Sequence, residues 1–171
     1  MDDIYAINVA KSRFREGFNL GDEEQVLSIY DDAFADMSFA MPSFYSSDAK
    51  DVFRARLKRL FRGYCAEMAV IIIDVVFNGD KAMDWGWHVL KLTSKTSAEN
   101  LLVRTRYFET WRRDPIKGWL VTSFIDNLDL TPQLPENLIH ELESTSSTTL
   151  ITRVLDDGSQ SAARECSSDA R

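Results

Sequence analysis

The chain has 171 residues, of which 44% are hydrophobic, and it carries a formal net charge of −7. This length and composition are typical of one soluble globular domain with a well-buried core. The negative charge argues against a nucleic acid or an anionic membrane surface as the main partner, because both select a basic face. No apolar run approaches the roughly 20 residues of a membrane span. The first residues also lack the features of a signal peptide, so we expect a cytoplasmic protein.

Metal chemistry finds little support in the composition. The chain contains two cysteines, Cys65 and Cys166, and two histidines, His88 and His140. These are too few and too dispersed for a disulfide framework or a zinc site. We therefore expect no metal ion.

The first part of the chain predicts three helices and one short strand. Apolar residues at helical spacing predict an amphipathic helix over residues 3–19. Asp22 caps a second, short helix, with Gln25 three residues later as a capping box prefers. Residues 34–41 then predict a strand that Pro42 ends, and Ser47 caps a helix over residues 48–64. The many basic residues of this third helix favour a solvated face over an anion-binding surface.

From residue 67 the hydrophobic pattern changes to that of strands. The β-branched run at residues 68–77 is long and apolar enough to be covered on both sides. Its single charge, Asp74, must be paired, exposed or at an interface, and we expect an interface. After the Asn78-Gly79-Asp80 turn, three further strands are predicted over residues 82–92, 101–113 and 119–130.

This order of elements predicts an α+β domain over residues 1–131. The natural arrangement packs the apolar helix faces onto one side of a curved, mainly antiparallel sheet. Residues 132–171 form a tail that is too polar to fold alone. Within it, residues 135–144 predict a helical stretch, and residues 150–155 an edge strand in this chain or in a partner.

Asp126 is an acid in an apolar strand. It ends the hairpin segment WRRDPIKGWLVTSFID of residues 111–126 and shares a strand face with Thr122, Phe124 and Leu128. Such a face partly desolvates a carboxylate and raises its pKa, which makes Asp126 a candidate base or ligand contact. The alternative is a structural Asp bonded to Arg104, Arg106 or a tail amide.

His88 lies on the same strand face as Asp84, and Trp85 and Trp87 lie on the other. If the polar face lines the interior, Asp84 and His88 flank a ligand. If the tryptophans face inward, they form an aromatic pocket wall and His88 lies at a subunit interface. The sequence leaves both arrangements open.

Tyr107 shares a strand face with Val103, Thr105, Glu109 and Trp111. A tyrosine hydroxyl there is a candidate oxyanion donor, although an amphipathic core role is favoured. Trp111 and Trp119 flank the hairpin, where cross-strand aromatic packing is expected.

The order of these elements resembles the nuclear transport factor 2-like superfamily. The segments that carry the resemblance are FNLGD (residues 18–22), LSIYDDAF (27–34) and RYFETWRRDPIKGWLVTSFIDN (106–127). Within the superfamily the chain looks closest to the SnoaL-like and ketosteroid isomerase-like branch. The resemblance covers roughly residues 3 to 130 and implies a cone, in which three N-terminal helices pack in a strongly curved sheet. It also implies a pocket in the open end and frequent dimerisation through the outer face of the sheet.

The resemblance implies a catalytic role for Asp126, and it implies no base at the position that ketosteroid isomerases use. Asp126 matches the strand position at which SnoaL-like cyclases carry their base. The ketosteroid isomerase base precedes a proline, where this chain has Met41 before Pro42. Asp36, upstream on the same strand, replaces that base only if it faces inward. We see no counterpart in the sequence of the Asp-Arg-Asp set of limonene-type epoxide hydrolases.

From the residues and the resemblance together, we expect an isomerase, cyclase or dehydratase that transfers a proton on a hydrophobic ring-bearing or polyketide-like substrate. We expect it to need no cofactor and to form a homodimer. The alternative is a non-catalytic ligand-binding or assembly module of the same fold. The candidate catalytic residues are Asp126, His88 and Tyr107, and the candidate substrate-binding residues are Asp36, Phe124, Trp85, Trp87, Trp111 and Tyr45.

Overall fold

The computed structural model of the chain describes residues 2–129. The predictions made for the tail, including its helix and its edge strand, lie outside this range. The described elements are α1 (Asp3–Leu20), α2 (Glu23–Leu27), β1 (Tyr30–Met37), α3 (Ser46–Gly63), β2 (Tyr64–Asn78), β3 (Lys81–Ser94), β4 (Asn100–Asp114) and β5 (Gly118–Leu128).

Side-chain caps satisfy free backbone amides at the starts of α1 and α2. The Asp2 side chain accepts the Ile4 amide at the start of α1, and Gly21 ends α1 in the left-handed region at φ 68°. Asp22 accepts the Gln25 amide at 2.9 Å, which confirms the predicted cap of α2. The predicted Ser47 cap of α3 is wrong, because α3 begins at Ser46 without a side-chain cap.

The five strands form one curved mixed sheet in the order β1-β5-β4-β3-β2. Strands β2 to β5 make the predicted antiparallel meander, and β1 pairs parallel to β5. Strand β1 covers Tyr30–Met37 rather than the predicted residues 34–41. It starts earlier because Tyr30 pairs with Val121, and it stops earlier because the chain turns at Ser38.

The helices pack on one face of the sheet, which we call the interior face; the opposite face is the outer face. Buried apolar side chains from α1, the strands and α3 form the main core there, and they include Ile7, Phe14, Phe18, Leu57, Phe61, Val70, Ile72, Trp111 and Phe124. Ala69, Ile71 and Val89 form a second, smaller buried cluster with Trp87 packed against it. The central part of β2 is therefore buried on both sides, as predicted from its apolar run.

β-Bulges in β2 and β5 change which side chains face the interior. In β2 the register passes from Ile72 opposite Gly86 to Asp74 opposite Trp85, so Ile73 is the extra residue. Asp74 is exposed at this bulge and accepts the Val75 amide at 2.8 Å. Asp74 is therefore exposed in the single subunit, and its expected place at an interface stays a prediction.

The second bulge is in β5, where Thr110 pairs with Ser123 and Trp111 pairs with Val121. Thr122 is the extra residue, and its hydroxyl bonds to the Thr110 hydroxyl at 2.9 Å. Strict alternation along β5 predicts that Val121 and Asp126 face opposite sides. The bulge instead places Val121 in the same core as Phe124.

Candidate functional site

The interior face of β3 carries Asp84 and His88, both buried, whereas Trp85 and Trp87 point to the outer face. This decides between the two arrangements that the sequence leaves open. The tryptophans do not join Asp84 and His88 in one site. Instead, Trp85 stacks on Phe108 and the Trp87 indole donates to Asp129 at 2.9 Å.

A buried charged cluster lies between α1 and the sheet. Lys11, Asp84 and Glu109 are 1%, 0% and 1% exposed. Lys11 Nζ lies 3.2 Å from Asp84 and contacts Glu109 directly. Tyr107 donates its hydroxyl to Asp84 at 2.8 Å, and Trp111 donates its indole N–H to Asp84 at 2.6 Å. Asp84 is therefore the common acceptor of the cluster.

Strand register explains why the two carboxyls meet. Asp84 on β3 pairs directly with Glu109 on β4, and like charges opposite each other destabilise a sheet unless a cation neutralises them. Lys11 supplies that cation from α1. The sequence carries a signal for this position, because Ile7, Lys11 and Phe14 fall on one helix face.

The cluster contains two carboxyl groups and only one ammonium group, and this imbalance shifts a pKa. Burial raises the pKa of Glu109 to about 8; Lys11 opposes this rise and Asp84 adds to it. The Oε1 atom of Glu109 accepts no hydrogen bond from residues 2–129. A buried carboxylate oxygen without a donor is costly, so this pattern is typical of a protonated acid.

His88 is enclosed by aromatic rings. Its imidazole stacks on Tyr107 at 4.2 Å between centroids and on Phe124 at 6.0 Å, and Phe14 is 5.4 Å away. Burial, and then the charge of Lys11, hold the pKa of His88 well below its usual value. His88 is therefore neutral near pH 7, and its buried Nε2 has no partner among the described residues.

Asp126 faces the interior at the edge of this aromatic set. It is half-buried and pairs across the sheet with Tyr107. Burial raises the pKa of Asp126, and the Phe39 amide, the charge of Arg56 and the Thr105 hydroxyl reduce that rise. The Phe39 N–H donates to Asp126 Oδ1 at 2.6 Å.

Asp36 faces inward but is already bound. Arg56 contacts its Oδ2, and Ser38 donates both its amide and its hydroxyl to Oδ1. The tertiary structure thus places Arg56 against Asp36, and the charge of Arg56 also acts on Asp126. Arg56 lies on α3, twenty residues from Asp36 in the chain.

The remaining predicted site residues divide by location. Phe124 and Trp111 lie in the interior core, beside His88 and Asp84 respectively. Tyr45 is 59% exposed at the start of α3. Tyr107 has its hydroxyl engaged by Asp84, so an oxyanion role would require that bond to break. The residues that sequence reasoning missed are Lys11, Glu109, Arg56 and the Phe39 amide.

Two further findings concern partners. Within residues 2–129, no group of three His, Cys, Asp or Glu side chains is arranged to hold a metal ion. Of the helices in the same range, none combines the length and the apolar character that a membrane crossing requires.

Comparison with known proteins finds similar folds at low sequence identity. A ketosteroid isomerase-like protein from Erwinia carotovora atroseptica SCRI1043 aligns with a TM-score of 0.64 and 19% identity, over 77% of this chain and 98% of that one. A candidate dehydratase of the nuclear transport factor 2-like family from Streptomyces avermitilis gives 0.64 and 16%, over 75% and 97%. A nuclear transport factor 2-like superfamily protein from Salmonella enterica serovar Typhimurium gives 0.61 and 9%, over 76% and 93%.

No family model and no curated protein matches the chain. At the identities above, the likeness shows the fold alone and does not distinguish the SnoaL-like branch from others. The three helices, the curved mixed sheet and these structural neighbours agree: the protein has the nuclear transport factor 2-like fold, as its resemblance to that superfamily implied.

Proposed function

We propose that this protein binds a hydrophobic, ring-bearing or polyketide-like molecule on the interior face of its sheet, and that Asp126 moves a proton in an isomerisation, cyclisation or elimination. In the first step the carboxylate takes a proton from a carbon beside a carbonyl, which leaves an enolate. The same carboxyl then returns the proton to carbon or oxygen. No metal or organic cofactor takes part.

The environment of Asp126 carries this proposal. A general base works best when its pKa lies near the operating pH, and burial raises the pKa of this carboxyl. The Phe39 amide fixes its orientation at 2.6 Å. Phe124 and the neutral His88 supply an aromatic, uncharged neighbourhood for a ring-bearing ligand. Among structures of the same fold, one is called a ketosteroid isomerase-like protein and one a candidate dehydratase.

The test measures proton transfer without knowledge of the natural substrate. Cyclic ketones are incubated with the protein in D2O, and mass spectrometry follows deuterium uptake at the carbon beside the carbonyl. We expect Asp126→Asn to lower the exchange rate by at least about 100-fold, the usual contribution of a general base. Circular dichroism verifies that the variant folds.

Asp129→Asn is the matched control. Asp129 lies three residues further along and accepts the Trp87 indole, for which asparagine keeps an oxygen acceptor. This variant should exchange as the wild type does. Equal exchange by the wild type and Asp126→Asn would contradict the assignment of the base.

A non-catalytic binding or assembly module is the second candidate. One observation favours it, because two of the predicted polar site residues already have protein partners. The Tyr107 hydroxyl binds Asp84, and the Asp36 carboxylate binds Arg56. In a module the tail carries the partner contact. Deletion of residues 136–171 would then abolish association and leave ligand binding intact, whereas an enzyme would keep both its activity and its dimer.

We further propose that the protein is a homodimer through the outer face of its sheet. Trp85, Phe108 and Ile125 pair in register across β3, β4 and β5, and Phe108 and Ile125 are each 39% exposed. A row of large apolar side chains on a sheet face that residues 2–129 leave exposed is typical of an interaction surface.

A further inference from the structure

Asp36 and Arg56 form an ion pair next to the loop that contacts Asp126. Asp36 is 2% exposed, and the Arg56 side chain is 18% exposed. We propose that Asp36 is a positioning residue for Asp126, because it binds Arg56 and holds the loop whose Phe39 amide fixes the Asp126 carboxyl. The inference deepens the proposed function and rests on Asp126 as its base.

Hydrogen bonds to Asp36 fix both ends of the loop of residues 38–45. Asp36 accepts the Ser38 amide at 3.1 Å and the Ser38 hydroxyl, and its backbone makes two 2.9 Å hydrogen bonds with Phe44. Between these anchors the chain turns, and Ala40 adopts φ 56°. A residue with a β-carbon adopts that conformation only where its surroundings impose it. The anchors therefore determine where the Phe39 N–H points.

Arg56 binds one carboxyl and acts through its charge on a second. It contacts Asp36 directly, and its charge also opposes the raised pKa of Asp126. The charged and titratable groups that face Asp126 are Arg56 from α3, Tyr30 and Asp36 from β1, and Tyr107 from β4. Arg56 is the only cation among these, so after burial and the Phe39 amide its position contributes to how basic Asp126 is.

Asp36 keeps this cation away from the base. Without the charge of Asp36, the guanidinium has Asp126 as its remaining acidic neighbour in this set. A closer cation stabilises the ionised carboxylate and makes it a weaker base. Asp36 thus preserves both the orientation and the basicity of Asp126, although it does not touch the substrate.

Asp31 on the same strand provides a matched control. It also binds an arginine, Arg112, and it also accepts an amide two residues later, from Ala33 at 3.0 Å. Asp31 therefore makes the same two kinds of contact as Asp36. Neither Asp31 nor Arg112 is among the groups with the largest effect on the pKa of Asp126.

The experiment follows the side-chain carboxyl carbon of Asp126 by NMR as pH is varied, in protein labelled with 13C-aspartate. The Asp126 signal is assigned by its loss in Asp126→Asn. In Asp36→Asn, which keeps an oxygen for Ser38, Asp126 should titrate about one pH unit lower than in the wild type, the low end of the effect of a nearby opposite charge. In Asp31→Asn its titration should not change.

Arg56→Gln and the double variant Asp36→Asn/Arg56→Gln test the mechanism. Removal of the cation should raise the pH at which Asp126 titrates. In the double variant, the downward shift of this pH that Asp36→Asn causes should disappear. Arg56→Gln serves as the primary variant if Asp36→Asn does not fold. The proposal would be overturned if Asp126 titrated at the same pH in Arg56→Gln as in the wild type, or if its titration pH fell equally in Asp31→Asn.

These titrations need no substrate. They therefore hold or fail independently of the deuterium exchange that tests Asp126 as a base. Where exchange is measurable, its loss at low pH should follow the same order, with Asp36→Asn active to a lower pH than the wild type, because a base is active only while it is ionised.

Discussion

Two carboxyls that face each other across neighbouring strands need a proton or a cation between them. Asp84 and Glu109 have Lys11 as their common cation, and all three side chains are almost completely buried. With both acids ionised, the cluster would bury a net negative charge, which is costly in a medium of low polarity. The raised pKa of Glu109 follows from this arrangement. Loss of Lys11 would leave the acids without a cation.

The proton on Glu109 makes stability depend on pH. The pKa of Glu109 is about 8 in the folded protein, against an ordinary value of 4.5. Its contribution is therefore fully present below pH 4.5 and is lost as pH rises toward 8, because the unfolded chain releases the proton first. The free energy of unfolding should fall across this window, by at most about 1.4 kcal/mol per pH unit from this group.

Glu109→Gln should remove this slope. Glutamine keeps the shape of the protonated acid and does not titrate, so the variant should gain stability relative to the wild type between pH 5 and 8. Urea unfolding at several pH values measures the difference. Glu99→Gln, at an exposed position, is the control and should keep the wild-type slope. Parallel pH profiles for the wild type and Glu109→Gln would contradict the assignment.

At the scale of elements, the bulge in β2 and the glycine opposite it belong together. Gly86 pairs with Ile72, next to the extra residue Ile73. A β-carbon built on Gly86 would lie 1.8 Å from the Ile71 carbonyl oxygen, a backbone atom. Only glycine allows β2 and β3 to approach this closely, and the close approach supports the bend that brings Asp84 toward α1.

Gly86→Ala should therefore destabilise the domain by about 2 kcal/mol or more, because backbone must move to relieve the clash. Gly63→Ala is the matched control, since a β-carbon at Gly63 meets no atom within 4 Å. It should be neutral or slightly stabilising. Urea denaturation measures the free energy of unfolding of both variants. Equal values would show that the β2 backbone moves away from the new β-carbon without loss of stability.

At the scale of the whole molecule, the two faces of the sheet have different roles. The interior face packs against α1 and α3 and holds the buried charges of Lys11, Asp84 and Glu109. The outer face carries the Trp85–Phe108–Ile125 row, with Met83 also 41% exposed. The proposed dimer would bury this row and leave the interior site of each subunit separate.

Phe108→Asp should dissociate the dimer, because a charge in the middle of an apolar interface is left without a partner. Sedimentation velocity measures the molecular mass in solution. Ile116→Asp is the control, since Ile116 is 93% exposed on the hairpin turn and away from the row. A dimer that survives Phe108→Asp, or that Ile116→Asp disrupts equally, would place the contact elsewhere.

Much of the architecture could be predicted from local pattern alone. Helical spacing of apolar residues marks α1, Asp22 caps α2, and alternation marks β3 to β5, including the shared face of Tyr107, Glu109 and Trp111. The start of β1 and the facing of Val121 could not be predicted in this way. The first depends on pairing with β5, and the second on the bulge at Thr122.

The sequence by itself determined the α+β class, the fold family that it resembles and the isolation of Asp126 among apolar neighbours. These features depend on residues close together in the chain. Only the tertiary structure decided that Lys11 lies between Asp84 and Glu109, that the Phe39 amide binds Asp126, and that the charge of Arg56 acts on it. The physical reason is that strand register and helix packing bring together charges that lie up to 98 residues apart, and burial then amplifies their interaction.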